Sequence, residues 1–112
     1  MKKLEAIIRP EKVDEVRKAL EKAGYPGMTI TEVEGHGKQK GVTRQWRGES
    51  YQVDLLPKVK LELAVADKDV DKIVSTISTA AKTGSAGDGK LFISDLKEVV
   101  RIRTGERGDD AL

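Results

Sequence analysis

Apolar and polar residues alternate over KKLEAIIR, residues 2–9, which puts Leu4, Ala6 and Ile8 on one side of the chain. A period of two with one apolar side marks a half-buried strand. The period then lengthens. Val13, Val16, Leu20 and Ala23 recur at helical spacing with charged residues between them. Pro10 suits the first turn of that helix, and Gly24 and Pro26 stop it. MTITEVEG, residues 28–35, is rich in β-branched types and reads as a second strand. KVKLELAVA, residues 58–66, alternates again, with Val59, Leu61, Leu63 and Val65 on one side. Asp67 is the expected N-cap of a second helix. The buried stripe of that helix is Val70, Ile73, Val74, Ile77 and Ala80 or Ala81. LFISDL, residues 91–96, is the last full strand, and VVRIRT reads as a short extra one.

These elements run β-α-β-β-α-β. The order predicts an α+β, ferredoxin-like antiparallel sheet with both helices on one face and a long loop between strands two and three. The other sheet face would carry Glu5, Ile7, Lys60, Glu62 and Ala64, too apolar in part for a plain surface. At 112 residues the chain suits a single domain spanning 1–112. The last residues, GERGDDAL, lack an apolar pattern, and 106–112 is expected to be a mobile tail.

Composition narrows the chemistry. Charged residues make up 36% of the chain, yet Lys+Arg 21 against Asp+Glu 19 leaves a net charge of +2. That balance argues against bulk electrostatic binding to nucleic acid. With no Cys and one His, His36, thiolate metal sites, disulfides and cysteine nucleophiles are excluded. No carboxylate pair has a spacing that points to acid–base work. The start, MKKLEAIIRP, does not read as a signal peptide, because Arg9-Pro10 halts a short apolar run. No stretch reaches the ~20 apolar residues of a membrane span. The expectation is a cytoplasmic protein with no membrane insertion.

TGSAGDGK, residues 83–90, has the Gly-x-x-x-x-Gly-Lys spacing of a phosphate loop from Gly84 to Lys90, but Leu91 follows where Ser or Thr is needed. A P-loop also opens a helix after a strand, whereas here a helix precedes and a strand follows. Two readings remain: a glycine-rich connector, or an anion site built from backbone N–H groups. Arg101 and Arg103 alternate, so on an extended chain both point to one side, and Lys90 adds a third cation. Asp54, Glu62 and Asp88 are candidates for surface charge or for accepting N–H bonds.

The loop between the middle strands is far longer than a hairpin needs. It carries Gly35, Gly37, Gly41 and Gly48, the cations Lys38, Lys40, Arg44 and Arg47, and the aromatics Trp46 and Tyr51. It reads as a disordered insertion, a basic arm for nucleic acid, or a docking arm for proteins. RNA-recognition sheets stack bases on aromatics of their central strands, and neither KKLEAIIR nor KVKLELAVA has one.

Several blocks together resemble the PII nitrogen-regulatory signal proteins over essentially the whole chain. They are IRP at 8–10, GMTITEVEGHGKQKG at 27–41, RGESY at 47–51, LPKVKLE at 56–62, TGSAGDGK at 83–90 and VRIRTGE at 100–106. The resemblance implies a non-catalytic homotrimer that binds ATP or ADP between subunits and, with Mg2+ and ATP, 2-oxoglutarate. It implies a flexible T-loop-like arm at 37–55 and a phosphate loop at 82–90. The implied nucleotide-binding residues are Ile7, Thr29, Gly35, His36, Gly37, Lys38, Gln39, Glu62, Ala64, Gly87, Asp88, Gly89, Lys90, Arg101 and Arg103. The two arginines would reach the phosphates from a neighbouring subunit. Gln39, Lys40, Gly41 and Lys58 are implied for 2-oxoglutarate, Gln39 for magnesium, and Tyr51 as a modification site. Implied partners are nitrogen-metabolism proteins: an ammonium channel, glutamine synthetase, a nucleotidyltransferase or N-acetylglutamate kinase, with no direct nucleic acid. The sequence departs from many members at Trp46, where Tyr is usual, and at Lys38 and Leu91. The reading from another class is a small ferredoxin-like enzyme or nucleic-acid module using the same loops.

Overall fold

The computed structural model describes residues 1–36, 42–46, 49–53 and 55–112, the two middle segments by their backbone. Among the described residues the order is β1 (Lys2–Ile8), α1 (Val13–Lys22), β2 (Thr29–Gly35), β3 (Val42–Trp46), β4 (Glu49–Val53), β5 (Leu56–Val65), α2 (Val70–Ala81) and β6 (Lys90–Asp95). Four strands form one sheet in the order β2-β5-β1-β6, antiparallel throughout. This is the ferredoxin-like α+β arrangement. β3 and β4 form a separate ladder within the long connection, with Arg44 opposite Tyr51 and Trp46 opposite Glu49.

The alternation along the strands builds the core. Leu4, Ala6 and Ile8 of β1 and Val59, Leu61, Leu63 and Val65 of β5 are buried on one face. Val16 and Leu20 of α1 and Ile73, Ile77 and Ala81 of α2 close over them. Burying such a side chain contributes about 1.5–3 kcal/mol. The opposite face is polar and apolar by turns: Thr29, Glu62, Glu5 and Phe92 lie in register across it, and Thr31, Lys60, Ile7 and Lys90 form the next row.

Each helix is entered through a 3-10 turn, Pro10–Lys12 before α1 and Asp67–Asp69 before α2. α1 ends in a Schellman arrangement. Tyr25 N–H donates to Leu20 O at 2.8 Å and Gly24 N–H to Glu21 O at 3.1 Å, with Gly24 at φ +96°.

Two expectations need correction. Asp67 is not the N-cap of α2. The β1–β5 register sets Lys2 opposite Val65, so Met1 lies beside the start of the 3-10 turn. The Asp67 carboxylate meets the Met1 amino group at 2.9 Å, and ion pairing replaces the cap. VVRIRT is not a strand: Val100 makes one isolated bridge to Arg107, and 102–104 are a turn. Gly105, at φ +75°, donates its N–H to Arg101 O at 2.8 Å and folds the segment back. Ile102 is fully exposed, so no apolar partner holds the segment straight. The residues from 106 on form a 3-10 turn at Gly108–Ala111.

Candidate functional site

The loop from Lys82 to Lys90 joins α2 to β6. Its backbone needs left-handed residues, and Gly84, Gly87 and Gly89 supply them at φ +91°, +97° and +99°. Gly89 meets a second constraint. A Cβ there would sit 1.7 Å from the carbonyl oxygen of Ile7, so the loop lies directly against β1. The antiparallel β1–β6 pairing makes that approach, since it places Ile7 opposite Lys90.

Asp88 gathers the loop inward. One carboxylate oxygen accepts the N–H groups of Thr83 and Gly84, each at 2.8 Å. The other accepts the Thr83 hydroxyl and, at 3.0 Å, Arg9 Nε–H. The bond from the Thr83 hydroxyl, first, and those from the two backbone N–H groups and Arg9 hold the Asp88 carboxyl well below the usual carboxylate range. Of the two roles expected of it, surface charge or N–H acceptance, this is the second. Arg9 also donates through Nη2–H to Ala86 O at 2.8 Å.

Lys58 approaches from β5. It is buried, with its ammonium donating to Gly87 O at 2.7 Å. Burial, and then the nearby Arg9 charge, lower its pKa. Its stem passes under Gly35, where a Cβ would lie 2.9 Å from Lys58 Cγ.

Thus Ile7, Gly35, Lys58, Gly87, Asp88, Gly89 and Lys90 come together at one end of the sheet. Thr29 and Glu62 face each other on the open sheet face, with Ala64 further along β5. Glu62 takes Lys60 at 3.0 Å and Lys3 at 3.5 Å, and the hydrogen bond from Lys60 is the main cause of its lowered pKa. His36 is exposed just beyond β2. Arg101 is engaged by the segment that follows it, through Glu106 at 2.8 Å and Leu112 O at 3.3 Å, and Arg103 is exposed on the turn. The expected alignment of these two arginines on an extended chain is therefore replaced by a turn. Gly37, Lys38, Gln39, Lys40 and Gly41 lie outside the described residues, as does the Tyr51 side chain.

A cavity of about 190 Å3 opens beside the loop, between β1, the end of α2 and the start of β6. Ile7, Asp88, Gly89 and Lys90 line it together with Ser78 and Lys82. Among the described residues no group of three or more His, Asp or Glu is placed to hold a metal. Nor is any described helix long and apolar enough to cross a membrane.

The residues found here and missed in the sequence are Arg9 and Thr83. Both act over the loop's own frame. The signal was present in the strand order: in an antiparallel β1–β6 pair the end of β1 must meet the residues that precede β6.

Comparison with known proteins settles the family. The profile described as Nitrogen regulatory protein P-II matches residues 1–106. The chain belongs to the P-II family. Nitrogen regulatory protein P-II 2 of Methanothermobacter thermautotrophicus is 59% identical over 112 residues, covering 100% of this chain and 97% of the relative. Nitrogen regulatory protein P-II of Rhizobium meliloti is 54% identical, and P-II 1 of Escherichia coli 55%, each covering 100% of both chains. As a P-II protein the chain is a nitrogen-signalling regulator and not an enzyme.

Proposed function

We propose that this P-II chain is a cytoplasmic homotrimeric sensor. It binds ATP or ADP at the 82–90 loop and takes up 2-oxoglutarate with MgATP. It signals by docking the 37–55 arm onto nitrogen-metabolism proteins such as an ammonium channel, glutamine synthetase, a nucleotidyltransferase or N-acetylglutamate kinase. The observation that carries this reading is the 82–90 loop itself. Its acidic residue is neutralised internally, three glycines hold it in a left-handed path, and Lys90 stands at its end. That design suits a polyanion reached by backbone and cation rather than by a P-loop helix.

The residues fit the ligands to different degrees. Lys90, Arg101 and Arg103 would supply charge-assisted bonds to phosphates, the arginines from a neighbouring subunit. Lys58 keeps a cation at the loop's edge, where a dicarboxylate could share it. Gln39 would hold magnesium through its side-chain oxygen, and magnesium would neutralise phosphate charge. Ile7, Thr29, Glu62 and Ala64 would flank the nucleoside along the open sheet. The cavity of about 190 Å3 falls short of the ~300–1,000 Å3 typical of ligand pockets. This favours a site completed by a second subunit.

Calorimetry tests the reading. ATP and ADP should each bind the parent protein. 2-Oxoglutarate should bind only when ATP and magnesium are both present. Binding of 2-oxoglutarate without nucleotide, or no binding of either nucleotide, would overturn it.

A further inference from the structure

A loop that takes phosphates has no ordinary use for an acid at its centre. Asp88 is such an acid, and a bare carboxylate there would repel every phosphate. The structure shows how it is covered. Thr83 and Gly84 donate two backbone N–H groups to Oδ2, each at 2.8 Å. The Thr83 hydroxyl and Arg9 Nε–H, at 3.0 Å, donate to Oδ1. Arg9 is the sole charged donor in that set, and its side chain is only 14% exposed.

The same guanidinium also holds Ala86 O at 2.8 Å through Nη2–H. One planar group thereby grips the loop twice. It pairs with the side chain that cinches residues 83–84, and it fixes the carbonyl just before Gly87. Arg9 follows directly on Ile8, a buried residue of the central strand β1, so its anchor is rigid. A guanidinium can serve both points because its donors diverge from one plane, whereas an ammonium on a flexible stem cannot hold both in fixed geometry.

We propose that Arg9 is a positioning residue for the phosphate loop. Acting through Asp88 and Ala86, it holds residues 83–90 in their ligand-receiving path and screens the Asp88 charge from an incoming nucleoside polyphosphate. This rests on the reading of the loop as a nucleotide site. Arg9 itself touches no phosphate.

The test uses the intact protein, with ATP calorimetry and amide hydrogen exchange on the parent, Arg9→Met, Arg9→Lys, Asp88→Asn and the double variant Arg9→Met/Asp88→Asn. Arg9→Met should weaken ATP about tenfold or more, the scale of a lost charge-assisted bond. Arg9→Lys should fall between it and the parent. The double variant should bind ATP better than Arg9→Met, because no uncovered acid remains, whereas Asp88→Asn alone should gain little over the parent; an equal gain in both backgrounds would mean that Arg9 does not cover the acid. Exchange in Arg9→Met should quicken at 83–90 and stay unchanged in β1 and β5. ATP affinity within twofold of the parent in Arg9→Met, or unchanged exchange at 83–90, overturns the proposal. If Arg9→Met does not fold, Arg9→Lys and Asp88→Asn carry the same comparison. If the parent takes no ATP, the nucleotide reading fails, while exchange at 83–90 still decides whether Arg9 holds the loop.

Discussion

At the scale of the residue, Gly89 is fixed by two independent constraints. Its φ of +99° costs another residue about 1–3 kcal/mol. A methyl group would also strike the Ile7 carbonyl. Gly89→Ala should therefore lower stability by at least about 2 kcal/mol in chemical denaturation, whereas Gly84→Ala, which meets nothing within 4 Å, should cost only the backbone strain. Lys58 presents a different division. Its side chain is buried at the loop edge, so under the proposed function Lys58→Met should abolish 2-oxoglutarate binding while leaving much of the ATP binding; calorimetry with both ligands separates the two. The sequence left Asp88 open between surface charge and the acceptance of N–H bonds, and the folded loop selects the second. Arg9 was missed although the strand order held its signal: its partner stands 79 positions away, and the β1–β6 pairing brings them together.

At the scale of the element, alternation located β1 and β5 and helical periodicity both helices, because burial on one face imposes those patterns; β2 was read from its β-branched residues, and the two edge strands β2 and β6 are largely exposed. Ends were harder. Asp67 carried the right residue type for a cap, but the cap was lost to a charge contact that depends on sheet register. The β3–β4 ladder was also not evident, since polar residues outnumber the apolar ones in it and a glycine precedes each strand. VVRIRT alternates like a strand, yet Gly105 turns it back, and its pairing stops at one bridge, Val100 to Arg107. The two helices meet through specific contacts as well as through the core. Tyr25, just after α1, donates its hydroxyl to Asp69 at 2.9 Å, and Lys72 lies 5.4 Å from its ring centre. Ile73 is wholly buried beneath α2. Ile73→Ala should cost about 2–5 kcal/mol, against about 1 kcal/mol for Tyr25→Phe, both measured by denaturant unfolding.

At the scale of the whole molecule, the open sheet face decides assembly. Phe92 is 52% exposed there, beside Ile7 and a lattice of Lys3, Glu5, Lys60 and Glu62. Packing three such faces around an axis would cover it. Light scattering should return three times the 12.3 kDa chain mass, and a monomer at micromolar concentration would overturn the proposed nucleotide site between subunits. Acid sensitivity belongs to this scale too. Asp88 in the folded chain holds its proton far less readily than an unfolded carboxyl, whose pKa is near 3.8. Its stabilising contribution is thus complete above that value and is lost as pH falls below it. Thermal melts of the parent should drop from pH 5 to pH 3, and Asp88→Asn should drop less.

The anchoring of the loop to β1 and β5 has a thermodynamic consequence. A detached lid could open by itself and leave the sheet intact. Here Arg9, Lys58 and the Gly89–Ile7 contact tie the loop to the two central strands. Opening the loop fully means disturbing the sheet, so the free energy of occupancy is shared with global unfolding. A ligand at one hundred times its dissociation constant should then add about 2.7 kcal/mol to unfolding of the entire fold. Simple melting curves would thereby serve as a titration of any ligand taken by the 82–90 loop.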